Sequence, residues 1–98
     1  MKRVLKLRPI AQAELDESVA YYEVSESGLG LRFAGVVNTV FESILKDPRR
    51  YPVADGDVRE AAVPGFPYCI YYRVRDPYLI VVAVYHQSRD PSGWKGRP

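Results

Sequence analysis

Little in this 98-residue chain invites cross-linking or metal chemistry: it has one cysteine, Cys69, and one histidine, His86. A lone cysteine cannot form a bridge within its own chain, so nothing points to an oxidising compartment. One cysteine with one histidine also leaves no recognisable zinc spacing. The longest apolar run, Leu79 to Tyr85, falls far short of the roughly 20 residues that span a bilayer. The start, Met1-Lys2-Arg3-Val4-Leu5-Lys6, turns charged too soon for a secretory signal. The expectation is a cytoplasmic protein with no membrane partner, no metal and no cofactor. Repeats, low-complexity tracts and linkers are missing as well, so the length predicts one domain over residues 1–98 with a single modest core.

A clear excess of one charge is also absent, since 14 basic and 12 acidic side chains leave only +2. Broad attraction to nucleic acid usually goes with a larger imbalance. The distribution is more informative. No Lys or Arg occurs between Pro9 and Leu31, where Glu14, Asp16, Glu17, Glu23 and Glu26 fall, and no lysine occurs between Lys46 and Lys95. Arg59, Arg73, Arg75, Arg89, Lys95 and Arg97 gather toward the C-terminal third. This predicts an acidic helix, read as a solvated face, and a basic region near a sheet edge.

Periodicity supplies the elements. Leu5 and Leu7 alternate with Lys6 and Arg8 as in a half-buried strand, and Pro9, well placed in a first helical turn, ends it. Leu15, Val19 and Tyr22 then recur at helical steps, predicting a helix from 9 to about 26. Ser25 to Gly30 breaks it, and Leu29, Phe33, Val37, Val40 and Ile44 mark a second helix of about 17 residues. The short connection predicts an αα-hairpin. Pro48 to Asp57 reads as irregular. Val58–Val63, Phe66–Val74 and Tyr78–His86 read as strands, the last two joined at Arg75-Asp76-Pro77-Tyr78, where Asp-Pro is turn chemistry. The last strand, apolar on both faces, is expected to be central. The result is an α+β fold of order β-α-α-β-β-β, with an antiparallel-rich sheet and the hairpin packed on one face.

The chain's only histidine ends the last strand, and Arg89 follows three residues on. The sheet edge is therefore expected to present imidazole and guanidinium groups together. Each candidate also has a plain structural reading. His86 at a strand end is often just solvated or hydrogen-bonded. Arg73, on the strand face of Tyr71, stacks there or pairs with Glu60, and Arg59 carries the same ambiguity. Arg89 beside Asp90 makes a local ion pair, and Trp94 folds back onto the sheet.

The ordered set of punctuating residues resembles the RelE/ParE family of type II toxin–antitoxin toxins. Its points are Arg8-Pro9 before an Ala/Glu-rich helix, Tyr21-Tyr22, Gly28-Leu29-Gly30 with Arg32-Phe33, and Asp47-Pro48 with Tyr51-Pro52. They continue through Val58-Arg59, Phe66-Pro67-Tyr68 with Tyr72-Arg73, and His86 with Arg89-Asp90-Pro91 before Trp94. The resemblance implies a growth-arresting toxin silenced by a co-expressed antitoxin that is partly disordered when free. It also implies one of two targets, or else a degenerate toxin that only binds its antitoxin. ParE-like members poison DNA gyrase without a recognised catalytic centre, and Arg73, Arg89, Trp94, Lys95 and Arg97 would then be the target-binding residues. RelE-like members cleave mRNA in the ribosome without a metal, and Arg59, Arg73, His86 and Arg89 would then be catalytic. Such a nuclease needs proton transfer at the 2′-hydroxyl and cations on the phosphate, which imidazole and guanidinium can supply. Asp55 and Asp57, in a segment where RelE-like enzymes carry lysines, repel a phosphate backbone and favour the ParE-like reading.

Overall fold

Pro9 sets the first boundary. The computed structural model describes residues 2–98 and places strand β1 at Val4–Leu7 and helix α1 at Pro9–Ser25, with Arg8 extended between them. Helix α2 follows at Leu29–Lys46, then β2 Val53–Asp55, β3 Val58–Ala62, β4 Tyr68–Arg75, β5 Tyr78–His86 and a short 3₁₀ turn at Pro91–Gly93. The predicted α+β order holds, with one addition. The stretch expected to be irregular, 48–57, contains β2, which pairs with β3 through Val53–Arg59 and Asp55–Val58. Three exposed residues lack the alternation that marks a half-buried strand, so β2 left no periodic signal.

The sheet order is β1-β5-β4-β3-β2, antiparallel except for the β1–β5 pair. Strand β5 is interior, as its apolar composition on both faces requires. The helices cover one face. Phe33, Val37, Val40 and Ile44, the predicted α2 stripe, are buried with Ile70, Tyr72, Leu79, Val81 and Val84, while Leu15, Val19 and Tyr22 of α1 close the side. Rings of Tyr22, Phe66 and Tyr68 surround Phe33 at centroid distances of 5.0, 4.9 and 5.1 Å.

The hairpin turns tightly because Gly28 adopts a φ of +87° and Gly30 sits where a Cβ would overlap the Val19 carbonyl and the Glu23 side chain. With no side chain at the Gly28 cap, the Glu23 carboxylate accepts the N–H groups of Gly28 and Gly30 at 2.8 and 2.9 Å. Those donors, Gly28 first, hold its pKa below the usual carboxylate range.

The second sheet face is covered by the chain's own tail. Val58, Cys69, Tyr71, Val82, Ala83 and Tyr85 form a smaller core closed by Trp94, whose indole stacks on Tyr71 at 3.9 Å and 16°. Between β4 and β5 the register slips: Tyr71 faces Ala83 but Tyr72 faces Val81, leaving Val82 as an extra residue. This bulge brings Val81 and Val84 onto the same, helix-covered face although their numbers differ in parity.

Candidate functional site

His86 ends β5 opposite Tyr68, with ring centroids 5.0 Å apart. Its Nδ1 accepts the Ser88 N–H at 3.0 Å, with the Ser88 hydroxyl 2.8 Å away. A backbone N–H only donates, so this bond leaves Nε2 as the nitrogen that bears hydrogen. Arg89 lies over the Tyr85 ring at 4.3 Å and reaches Glu14 Oε2 at 3.6 Å. Open clefts of about 240, 270 and 510 Å³ meet here, and His86 and Arg89 line all three. The first is walled by Glu14, Glu17 and Tyr21 of α1, the second by Tyr71 and Trp94, the third by Tyr21, Tyr22 and Pro67.

Beside this rim lies a cluster that no sequence pattern indicated. Strand β1 stops at Leu7 and its last bond runs from the Arg8 N–H to the Val81 carbonyl, so β5 continues without a strand neighbour on that side. Side chains take the place of the missing strand. Glu14 Oε1 accepts the Val84 N–H at 3.1 Å, and Arg97 Nη1 donates to the Val82 carbonyl at 2.9 Å. The two side chains join each other in a bidentate pair of 2.9 and 3.0 Å. They are only 11% and 13% exposed, so the pair is shielded and its hydrogen bonds are charge-assisted. Glu14 thus corrects the expectation of a purely solvated acidic face: one carboxylate of α1 ties the helix to the bulge, the turn after β5 and the tail.

The remaining candidates are elsewhere. Arg59 faces Tyr72 across β3 and β4, four residues from Tyr68 and so about 13 Å from the His86 end. It donates to the carbonyls of Tyr51 and Arg49 at 2.7 and 3.2 Å, pinning the loop that leaves α2. Tyr72 helps, its hydroxyl donating to the Pro48 carbonyl at 2.6 Å, and burial pushes its pKa up to about 12. Arg73 occupies the opposite sheet face, one residue further along. It neither stacks on Tyr71, which Trp94 covers, nor pairs with Glu60. It binds Asp57 at 2.9 Å and the Arg97 carbonyl at 2.5 Å. Arg75 takes the other Asp57 oxygen, and these two arginines hold the Asp57 pKa below its ordinary value. The aspartate expected to repel phosphate is therefore spent on neighbouring guanidiniums. The rim does present imidazole and guanidinium together, through His86 and Arg89 with Arg97 close by, but Arg59 and Arg73 are not part of it.

Trp94 is 3% exposed, so it is a core residue rather than a surface anchor. Among the described residues, no group of three or more His, Cys, Asp and Glu is placed to hold a metal ion, and no helix is long and apolar enough to cross a membrane.

Residues 5–91 match the model of a family described as the ParE toxin of the type II toxin–antitoxin system parDE. The chain belongs to the ParE toxin family. A solved structure described as a chromosomal ParDE system from P. aeruginosa has the same fold, with a TM-score of 0.74, 18% identity, and coverage of 87% of this chain and 96% of that one. No curated protein matches the sequence. In this ParE toxin the matched segment ends at Pro91, so Trp94 and Arg97, which seal the second face and the β5 edge, lie beyond it.

Proposed function

We propose that this ParE-type toxin arrests growth by binding and poisoning DNA gyrase, and that a cognate antitoxin neutralises it. The observation that supports gyrase over RNA cleavage is the dispersal of the four residues a nuclease would use. His86 and Arg89 share one end of the sheet, while Arg59 and Arg73 lie about 13–17 Å away on opposite faces, held in structural bonds. The His86 hydrogen bond to Ser88 also commits the lone pair that a general base needs. The exposed candidates for target contact are Arg89, 55% exposed, and Lys95, with the half-buried His86 beside Arg89.

Expression of the chain alone should stop growth, and co-expression with the product of an adjoining reading frame should restore it. Purified toxin should block supercoiling of relaxed plasmid by gyrase and leave ribosome-bound mRNA intact, and Arg89→Ala should weaken that block. Cleavage of transcripts at codons with gyrase unaffected would transfer the function to the ribosome.

A further inference from the structure

The end of the molecule opposite the His86 rim collects positive charge from segments far apart in sequence. Val4 pairs with Tyr78 and Arg75 faces Tyr78, which joins the start of β1 to the β4–β5 turn. Asp76 in that turn is reached by Arg3 at 3.5 Å and by Arg49, from the loop after α2, at 3.4 Å. Lys6 lies over the Tyr78 ring at 4.6 Å, Arg50 over the Tyr51 ring at 5.2 Å, and Arg73 and Arg75 share Asp57. The six basic and two acidic side chains named here sum to +4; because the whole chain carries +2, all the others, Asp47 and Asp55 of the adjoining loops among them, sum to −2. The polarity is built into the fold, with the cation-free acidic helix supplying the other pole.

We propose that this basic end binds the phosphate backbone of duplex DNA. The inference rests on the gyrase reading only in its choice of duplex DNA as the polyanion. Five of the six cations are arginines, whose planar forks match phosphate oxygens. Arg49 and Arg75 are 58% and 54% exposed, and Arg49 spends one donor on a contact at the long limit of hydrogen bonding. Exposed pairs of this kind are weak, so a phosphate can replace the aspartate or add to it. The surface is also pre-organised, because Arg59 and Tyr72 hold the loop carrying Arg49 and Arg50 against the sheet. A lipid surface fits less well. The most exposed large apolar side chains, Val24 and Leu31, lie at the hairpin tip, about a helix length away, whereas Val4, Val53 and Tyr78 at this end are only about half exposed and scattered among the cations.

Fluorescence anisotropy with a labelled duplex, read at about 50 and 200 mM salt, tests the inference. Contact with about four phosphates predicts a log–log slope near −3.6, hence an affinity loss of about 10²-fold over that range. Arg49→Gln combined with Arg75→Gln should weaken binding at least about tenfold and flatten the slope by about two, whereas Arg32→Gln, at the other end of α2, should change little. Melting curves of the variants confirm that they fold. The inference is overturned if the duplex is not bound at the lower salt, if Arg32→Gln costs as much as the pair, or if vesicles of anionic lipid bind and the duplex does not. Gyrase inhibition by a toxin that ignores free duplex overturns this inference alone. Duplex binding by a toxin that leaves gyrase untouched upholds it and overturns the gyrase reading.

Discussion

Replacing Glu14 with glutamine keeps the shape of the side chain and removes the charge on which Arg97 and Arg89 converge. The amide oxygen can still accept the Val84 N–H, but two guanidinium hydrogen bonds of 2.9 and 3.0 Å lose their ionic partner. Hydrogen bonds to charged groups contribute about 1.5–3 kcal/mol each, and a buried cation stripped of its partner costs more. The pair is slightly open to water, so we expect a net loss of about 2–3 kcal/mol after allowing for screening. For a domain of this length that lowers Tm by about 10–20 °C. Urea unfolding of wild type, Glu14→Gln, Arg97→Met and the double variant would close a thermodynamic cycle. A coupling of about 1–2 kcal/mol is expected, because each substitution removes the same contact. If the two single changes cost less than about 0.5 kcal/mol each and simply add, the pair is a surface accident and the sealing of the β5 edge is wrong.

Gly30→Ala should destabilise by about 1–3 kcal/mol in the same assay, since the new methyl group meets the Val19 carbonyl and the two helices have to separate. Trp94→Ala should cost about 3–5 kcal/mol and raise binding of an apolar dye, because it uncovers Tyr71; retained stability with lost toxicity would instead make the indole a target contact. Acid should weaken the fold partly through Asp57. Its pKa is depressed in the folded state, so its contribution is complete above the ordinary carboxylate range and disappears as pH falls through the lower folded value. Asp57→Asn should therefore flatten the acid limb of a plot of Tm against pH while leaving the neutral region little sloped. Tyr72 acts at the other extreme. With its folded pKa raised to about 12, stability is complete below the free phenol's range and declines as pH rises between about 10 and 12. Tyr72→Phe should shift that decline in a Tm profile, and an unchanged alkaline limb would contradict it.

What could be read beforehand was whatever repeats with a period. The stripe Phe33, Val37, Val40 and Ile44, the two long strands and the interior place of β5 follow from spacing and composition, because burial of one face forces those patterns. The β2 strand was silent because its side chains are exposed and only its backbone pairs. The partners of Arg73 and Arg97 were hidden for another reason. Asp57 and Glu14 are brought to them by the β2–β3 turn and by α1, over separations of 16 and 83 residues, and composition carries no trace of such pairings. Charge asymmetry was visible, but not that Glu14 would leave the solvated set while Arg59 and Arg73 served the frame.

The bulge at Val82 makes β5 a strand of two phases. Up to Val81 the odd-numbered residues look toward the helices, and from Val84 onward the even-numbered ones do, which is how His86 comes to the same surface as Tyr68. Where the chain's sole imidazole looks is therefore decided four residues upstream, by a supernumerary valine that touches no ligand and has no chemistry. Were the bulge ironed out with every residue kept, regular alternation would present Tyr85 to the helices and turn the imidazole to the rear, whereas loss of the Val82 codon would remove the surplus residue and leave Val84 and His86 facing as they do.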